Sequence, residues 1–264
     1  GLAATIALLG IFGILIPSRL RAPDHQPRAS YKPTPHWQKG VMTMLLALLA
    51  WRYLTIVEEM LLRPLYAWDA WMNWVPKAIV WFHAKGLTPY VTPEQWLAQG
   101  PETLGYTLGN SEASTYPPTV PLIQLWSMLG ARTWDDSRLF LPWFLAALNL
   151  GLALYGHLRM AGVSTLVSTV ACYMLLNMPY LNVHTTLAGY ADLWLAACFG
   201  LAVFALHEWQ KDRQWAYAML CLFLAYMCSQ LKNPGIVLGG IILTTFVRSW
   251  LNLSQRTELA SCSN

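Results

Sequence analysis

Charge is scarce in this 264-residue chain: Asp, Glu, Lys and Arg make up 11% of it, against roughly 25% in an ordinary soluble domain. So few ionic groups cannot cover the surface of a water-soluble globule of this size, which excludes a cytosolic enzyme, and the apolar content excludes a disordered or fibrous chain. Cysteine is equally thin. The five thiols (Cys172, Cys198, Cys221, Cys228 and Cys262) include no CxxC pair and are odd in number, which argues against a full disulfide framework. Four of them lie in apolar runs and read as small apolar fillers. Period-2 alternation is missing as well, as MLLALLAW and LWLAACFGLAVFAL illustrate, so a membrane β-barrel is set aside in favour of helices. No basic leader precedes the opening apolar run, so the layout of a cleavable signal peptide is lacking. The chain starts at Gly1 with that run already under way, and a fragment is expected.

What remains is 56% hydrophobic with a mean hydropathy of +0.38, gathered into long runs. A helix crossing a hydrocarbon core needs about 20 apolar residues, with roughly 17 as the lower limit. Runs at 2–16, 40–57, 139–157, 163–180, 190–207, 214–231 and 235–251 predict an all-α integral membrane fold of about seven transmembrane helices. The first run falls short of the limit, which fits a truncated span. The chain divides into 1–39 (the first span and a basic loop), 40–252 (a transmembrane core including an outer loop at 58–138) and a polar tail at 253–264.

Basic residues assign the sides. Loop 17–39 carries Arg19, Arg21, Arg28, Lys32 and Lys39 against Asp24 and faces the cytoplasm by the positive-inside rule. Alternation then places 58–138, 181–189 and 232–234 outside, and 158–162 and 208–213 inside. The net charge of +4 reports topology rather than a nucleic-acid partner; the lipid bilayer is the partner expected. Segment 58–138 holds eight acids, five bases and seven of the fourteen tryptophans, and tryptophan favours the headgroup level. Residues 68–85 read as an interfacial helix interrupted near Pro76, and 119–130 as a second interfacial or re-entrant piece. An outer loop of this length is usually functional.

Four places carry ionisable or stiff residues where lipid discourages them. Asp69 stands between Trp68 and Trp71, with Lys77 eight residues on; it reads either as a helix N-cap bonding the amide of Met72 or as a carboxylate at the mouth of a site. Asp192 opens a span from outside, as a plain helix-dipole partner or as a functional acid, with His184 eight residues earlier as a weak metal signal. Lys232, in Lys232-Asn233-Pro234-Gly235, either snorkels to the headgroups or meets a phosphate. Tyr116-Pro117-Pro118-Thr119-Val120-Pro121 reads as a stiff extended brace. Together they put two carboxylates and a lysine on one outer face. Phosphate-activated sugar transfer uses such parts: a carboxylate to take the acceptor proton, positive charge to stabilise the departing phosphate, and negative charge near an oxocarbenium-like transition state.

The runs WDAWMNWVPKAIVWF (68–82), STYPPTVPLIQLWSMLG (114–130), HTTLAGYADLWLA (184–196) and LKNPG (231–235), in this order, resemble bacterial polytopic glycosyltransferases of the GT-C class. These are relatives of the dolichyl-phosphate-mannose protein mannosyltransferases and of the lipid A aminoarabinose transferase. The resemblance covers roughly residues 40–250. It implies a GT-C-like fold in the bacterial inner (plasma) membrane, acting on the extracytoplasmic face as an inverting transferase. A sugar would pass from a polyprenyl-phosphate-linked donor to a protein, lipid or glycan acceptor. Carried over, Asp69 and Asp192 match the two acids as catalytic residues, Asp69 as base or metal-proximal carboxylate, and Lys232 and, with less support, Lys77 the donor-phosphate contacts; where a divalent metal ion is used, Asp69 and Asp192 with His184, added from its spacing alone, are its candidate ligands. The chain departs from the family pattern at Ala70, where many relatives have a second acid, at Pro234, where an acid is common, and in its number of spans. The alternative from another class is a non-catalytic polytopic membrane subunit or transporter-like scaffold. The transferase reading expects Asp69, Asp192 and Lys232 to converge around one outward-facing cavity; positions on separate sides of the bundle would favour the scaffold.

Overall fold

The structure is a computed structural model; it describes residues 34–100, 104–108, 110–187 and 189–262, with side chains as far as Leu251. The expected span at 2–16 and most of the basic loop 17–39 lie outside these residues. The described chain is helical throughout, its only strand-like feature being an isolated parallel bridge between Tyr90 and Tyr106. Ten α-helices follow in order: α1 His36–Leu62, α2 Val75–Ala84, α3 Pro93–Ala98, α4 Thr119–Ala131, α5 Leu141–Met160, α6 Thr165–Leu176, α7 Pro179–Thr186, α8 Asp192–Asp212, α9 Trp215–Leu231 and α10 Gly235–Cys262. A π-helical turn, Ala70–Trp74, leads directly into α2.

Three helices among the described residues are long and apolar enough to cross a membrane: α1, the run Arg138–Met160 containing α5, and α8. A fourth follows if α6 and α7 are one span, bent by 55°. The seven spans expected are therefore not all present as such. Helix α9 and the apolar part of α10, Gly235–Leu251, are shorter. The single span expected at 163–180 is broken because Met178 adopts an extended conformation (φ −60°, ψ 124°) ahead of Pro179; a proline disfavours a helical residue before it and has no N–H to continue the ladder. Helix α7 consequently fills what was expected to be the outer loop 181–189.

Other boundaries differ for equally local reasons. No interruption occurs at Pro76, which sits in the first turn of α2, where the missing N–H has no helical partner to lose. The break instead precedes it, at the change from π to α winding. The expected brace is short: Tyr116 is extended (ψ 137°) but Pro118 is already helical (ψ −2°) and caps α4. The polar tail expected at 253–264 continues α10 to Cys262, since nothing between Leu251 and Cys262 breaks a helix.

Ile56, Met60, Trp74, Met128, Trp143 and Leu193 are among the largest fully buried side chains and share one core cluster, where α1, the π turn, α4, α5 and α8 meet. A second cluster joins α8, α9 and α10 through Ala202, Trp209, Cys221, Ala225, Ile242 and Phe246. Only 11% of the apolar window of α1 is buried, so most of its leucines face outward. Glycine sets the closest approach: a Cβ at Gly239 would lie 2.5 Å from the Ala225 carbonyl oxygen, and one at Gly235 would overlap that of Cys228. This Gly-x-x-x-Gly pair lets the α10 backbone press against α9, as small residues do where helices meet in lipid.

Candidate functional site

Three segments far apart in sequence deliver one charged cluster. Asp69 ends the short link after α1, Asp192 is the first residue of α8, and Lys232 follows the last residue of α9 in an extended conformation (φ −157°, ψ 150°). That conformation turns the lysine back across the helix ends. Its Nζ donates to both carboxylate oxygens of Asp192 at 3.1 Å and lies 3.9 Å from Oδ2 of Asp69. The three side chains are 19–32% exposed, so they are sheltered yet reachable. Burial works against the ammonium of Lys232, but the hydrogen bond and charge of Asp192, with the charges of Asp69 and Tyr116, outweigh it and raise the lysine pKa.

The turn that follows Asp69 aims its carboxylate. Oδ1 accepts from Asn73 Nδ2 at 2.5 Å and Oδ2 from Trp74 Nε1 at 3.1 Å. Of the two readings of Asp69, the helix cap does not form: Asp69 bonds no backbone amide of the turn. A π turn allows this, because its wider winding brings residues four and five positions on to the same side. Asn73 is itself held by Asn110 Nδ2 at 2.8 Å, and the Asn110 carbonyl accepts from the Tyr90 hydroxyl at 2.9 Å. Trp74 is fully buried and packs on Tyr116 with ring centroids 4.8 Å apart, so Tyr116 backs the side chain that bonds Oδ2 of Asp69.

On the opposite side, Trp143 Nε1 donates to the Tyr190 carbonyl at 2.7 Å, fixing the approach to Asp192. Gly189 (φ +104°) passes so close to Ala70 that any Cβ would strike the Ala70 methyl. The chain before Asp192 thus lies against the chain after Asp69. Gln124 of α4 is fully buried, with both side-chain polar atoms unpartnered among the described residues, and its Nε2 would lie 3.6 Å from that same Cβ.

Not every expected member joins. Lys77 is buried within the 58–138 segment, where its Nζ donates to the Ala113 carbonyl at 2.5 Å and stands 5.0 Å from the Tyr90 ring centroid; burial lowers its pKa to about 8. It braces residues 110–115 rather than contacting the three-residue cluster. His184 is half-buried, with Nδ1 2.9 Å from the Tyr180 carbonyl oxygen and its ring against Tyr180 and Tyr190. The structure does not gather it with Asp69 and Asp192 as a ligand set. Among the described residues, the ligand-type atoms that do crowd within 4.8 Å belong to His157, His207 and Glu208.

Neither Asn73 and Trp74, which bond Asp69, nor Asn110, which holds Asn73, was marked for that role in the sequence. The four-residue spacing from Asp69 to Asn73 was a usable signal, since such residues share a helix face. Asn110 had none, because it arrives through a tertiary contact. Comparison with protein-family models, curated proteins and solved structures finds no match to this chain.

Proposed function

We propose that the chain is part of an integral membrane glycosyltransferase of the GT-C type, moving a sugar from a polyprenyl-phosphate-linked donor to an acceptor on the extracytoplasmic face of a bacterial inner membrane. The observation that carries this reading is the Asp69–Lys232–Asp192 cluster. Three distant segments expected on one membrane face bring two carboxylates to one ammonium, with distances of 3.1 Å and 3.9 Å from Lys232 to the two acids. The membrane setting draws support from α1, α5, α8 and the bent α6–α7 pair. It also draws support from α9 and the apolar part of α10, which are near the lower length limit of about 17 residues.

In this reading Asp69 is the base. Both its oxygens accept a hydrogen bond from their own turn, yet a carboxylate offers about four acceptor positions, so one remains for the acceptor hydroxyl. The hydroxyl oxygen attacks the anomeric carbon while its proton passes to Asp69. The bond from that carbon to the phosphate oxygen breaks, the phosphate keeps the electron pair, and the anomeric centre inverts. Lys232 has three N–H donors; two are taken by Asp192, and the third meets the phosphate as its charge grows. Asp192 holds the ammonium in place and charged.

The same contacts also suit a non-catalytic scaffold, since an ion pair spanning three segments ties them together. The test separates the two. Purified full-length protein is assayed for transfer from a panel of polyprenyl-phosphate sugars, and Asp69→Asn is compared with wild type for both transfer and thermal unfolding. We expect transfer to fall by about 10²–10⁴-fold, the range for loss of a general base, with a folded protein remaining. Wild-type transfer by Asp69→Asn would remove Asp69 from the mechanism. Absence of transfer from every donor, together with loss of stability in the variant, would leave the scaffold.

A further inference from the structure

Helix α8 carries a second cluster at its other end. Glu208 lies sixteen residues beyond Asp192, about 24 Å along a helix rising 1.5 Å per residue. Its side chain is 3% exposed, an expensive place for a carboxylate unless it is paired or ligates a metal. Two imidazoles face it: His157 Nδ1, from the last turn of α5, at 3.1 Å, and His207 Nδ1, from the preceding position of α8, at 3.4 Å. Glu208 Oε1 and His157 Nδ1 are both buried, and neither makes a hydrogen bond of acceptable geometry among the described residues. They approach each other without bonding each other. The His157 ring is held flat against Phe204, with centroids 4.5 Å apart and planes 12° from parallel, so its orientation is set by packing. The charge of Lys211 also acts on His157, and Glu208 acts in turn on Tyr217, as does Asp212.

We infer that His157, His207 and Glu208 form a binding site for a divalent transition metal of the zinc class. Bonds of about 2.0–2.1 Å to a tetrahedral zinc ion separate its ligands by roughly 3.3 Å, and the two measured nitrogen–oxygen separations fall on either side of that value. Imidazole nitrogens favour zinc, copper, nickel and iron over magnesium and calcium. Three protein ligands leave a fourth position for water, and the exposed side of His207 gives the ion an entry. Bound there, the metal fastens the end of α5 to the end of α8 and neutralises Glu208. Sequence spacing alone could not reveal the set, because His157 stands fifty residues before His207 and only the packing of α5 on α8 unites them.

Full-length protein in detergent, stripped with a chelator, is titrated with Co²⁺. The expected result is the visible absorption of tetrahedral cobalt at one equivalent, lost on adding one equivalent of Zn²⁺ and unaffected by Mg²⁺. Zn²⁺ should also raise the unfolding temperature. His207→Ala removes a ligand that is 55% exposed and so leaves the core intact; affinity should fall by more than the roughly 10–100-fold that loss of an outer-shell partner costs. Glu208→Gln should do the same. No cobalt absorption, displacement by Mg²⁺, or wild-type affinity in His207→Ala would each overturn the assignment and leave a buried acid–imidazole pair. If Glu208→Gln fails to fold, His207→Ala decides alone.

Discussion

Two hydrogen bonds from its own turn decide which way the Asp69 carboxylate faces, and one that Lys77 donates to the buried Ala113 carbonyl decides where the lysine stays. The lysine has a consequence for stability. Burial lowers its pKa from the usual 10.5 to about 8, so between those values the unfolded chain binds more protons than the folded one. Stability contributed by this group therefore rises as pH climbs from about 8 to 10.5, and below 8 the charged form carries the cost of burial. Lys77→Met keeps the stem and deletes the titration. The difference in unfolding temperature between wild type and variant should change across pH 8–10.5 and level off outside it; a constant difference would show that Lys77 is not the group responsible. Asp69, Asp192 and Lys232 were legible in the sequence because lipid makes an ionisable residue conspicuous. Lys77 drew notice for the same reason, but burial under residues 110–115 could not be read from neighbours along the chain. His157 and Glu208 went unread because each stood at the end of a span, where polar residues are ordinary.

At the level of elements, hydropathy located the middles of the helices better than their ends. Helix α1 runs from His36 to Leu62 and takes in Lys39, Glu58 and Glu59, because backbone hydrogen bonding continues past the apolar run that marked it. Close packing was not legible at all. Gly235 and Gly239 sit in an apolar run like any other, and only the α9 carbonyls opposite give them meaning. Neighbouring glycines supply a matched pair of variants. Gly239→Ala drives a methyl into the Ala225 carbonyl and should cost about 1–3 kcal/mol, as overpacking does. Gly240→Ala meets nothing within 4 Å and should be neutral or stabilising by up to about 1 kcal/mol, the usual helix preference for alanine. Thermal unfolding of the two in the same detergent checks the contrast, and equal effects would mean that α10 does not rest on α9 this closely.

For the whole molecule, the two charged clusters occupy opposite ends of α8, and the sidedness read from basic loops assigns them to opposite membrane faces. Cysteine labelling tests that assignment. With native cysteines replaced by alanine, Glu94→Cys, on an exposed helix of the long 58–138 segment, should react with an impermeant maleimide in intact cells. Ala161→Cys, in the exposed turn after α5, should react only after permeabilisation. Labelling of both from the same side would invert or abolish the arrangement. This level was the least legible in the sequence: a count of apolar runs cannot distinguish a straight span from one bent by 55° at Met178–Pro179.

The π-helical turn at Ala70–Trp74 has a further consequence of phase. Each residue of a regular helix advances the next by about 100°, so shortening this turn by one position would swing α2 round by roughly that angle while leaving Asp69 at its root. Lys77 would leave the Ala113 carbonyl, and residues 110–115 would lose their clasp. The extra residue in the winding is what lets one short stretch of chain serve two directions at once, presenting an acid to the lysine of one helix end and a cation to the loop that covers it.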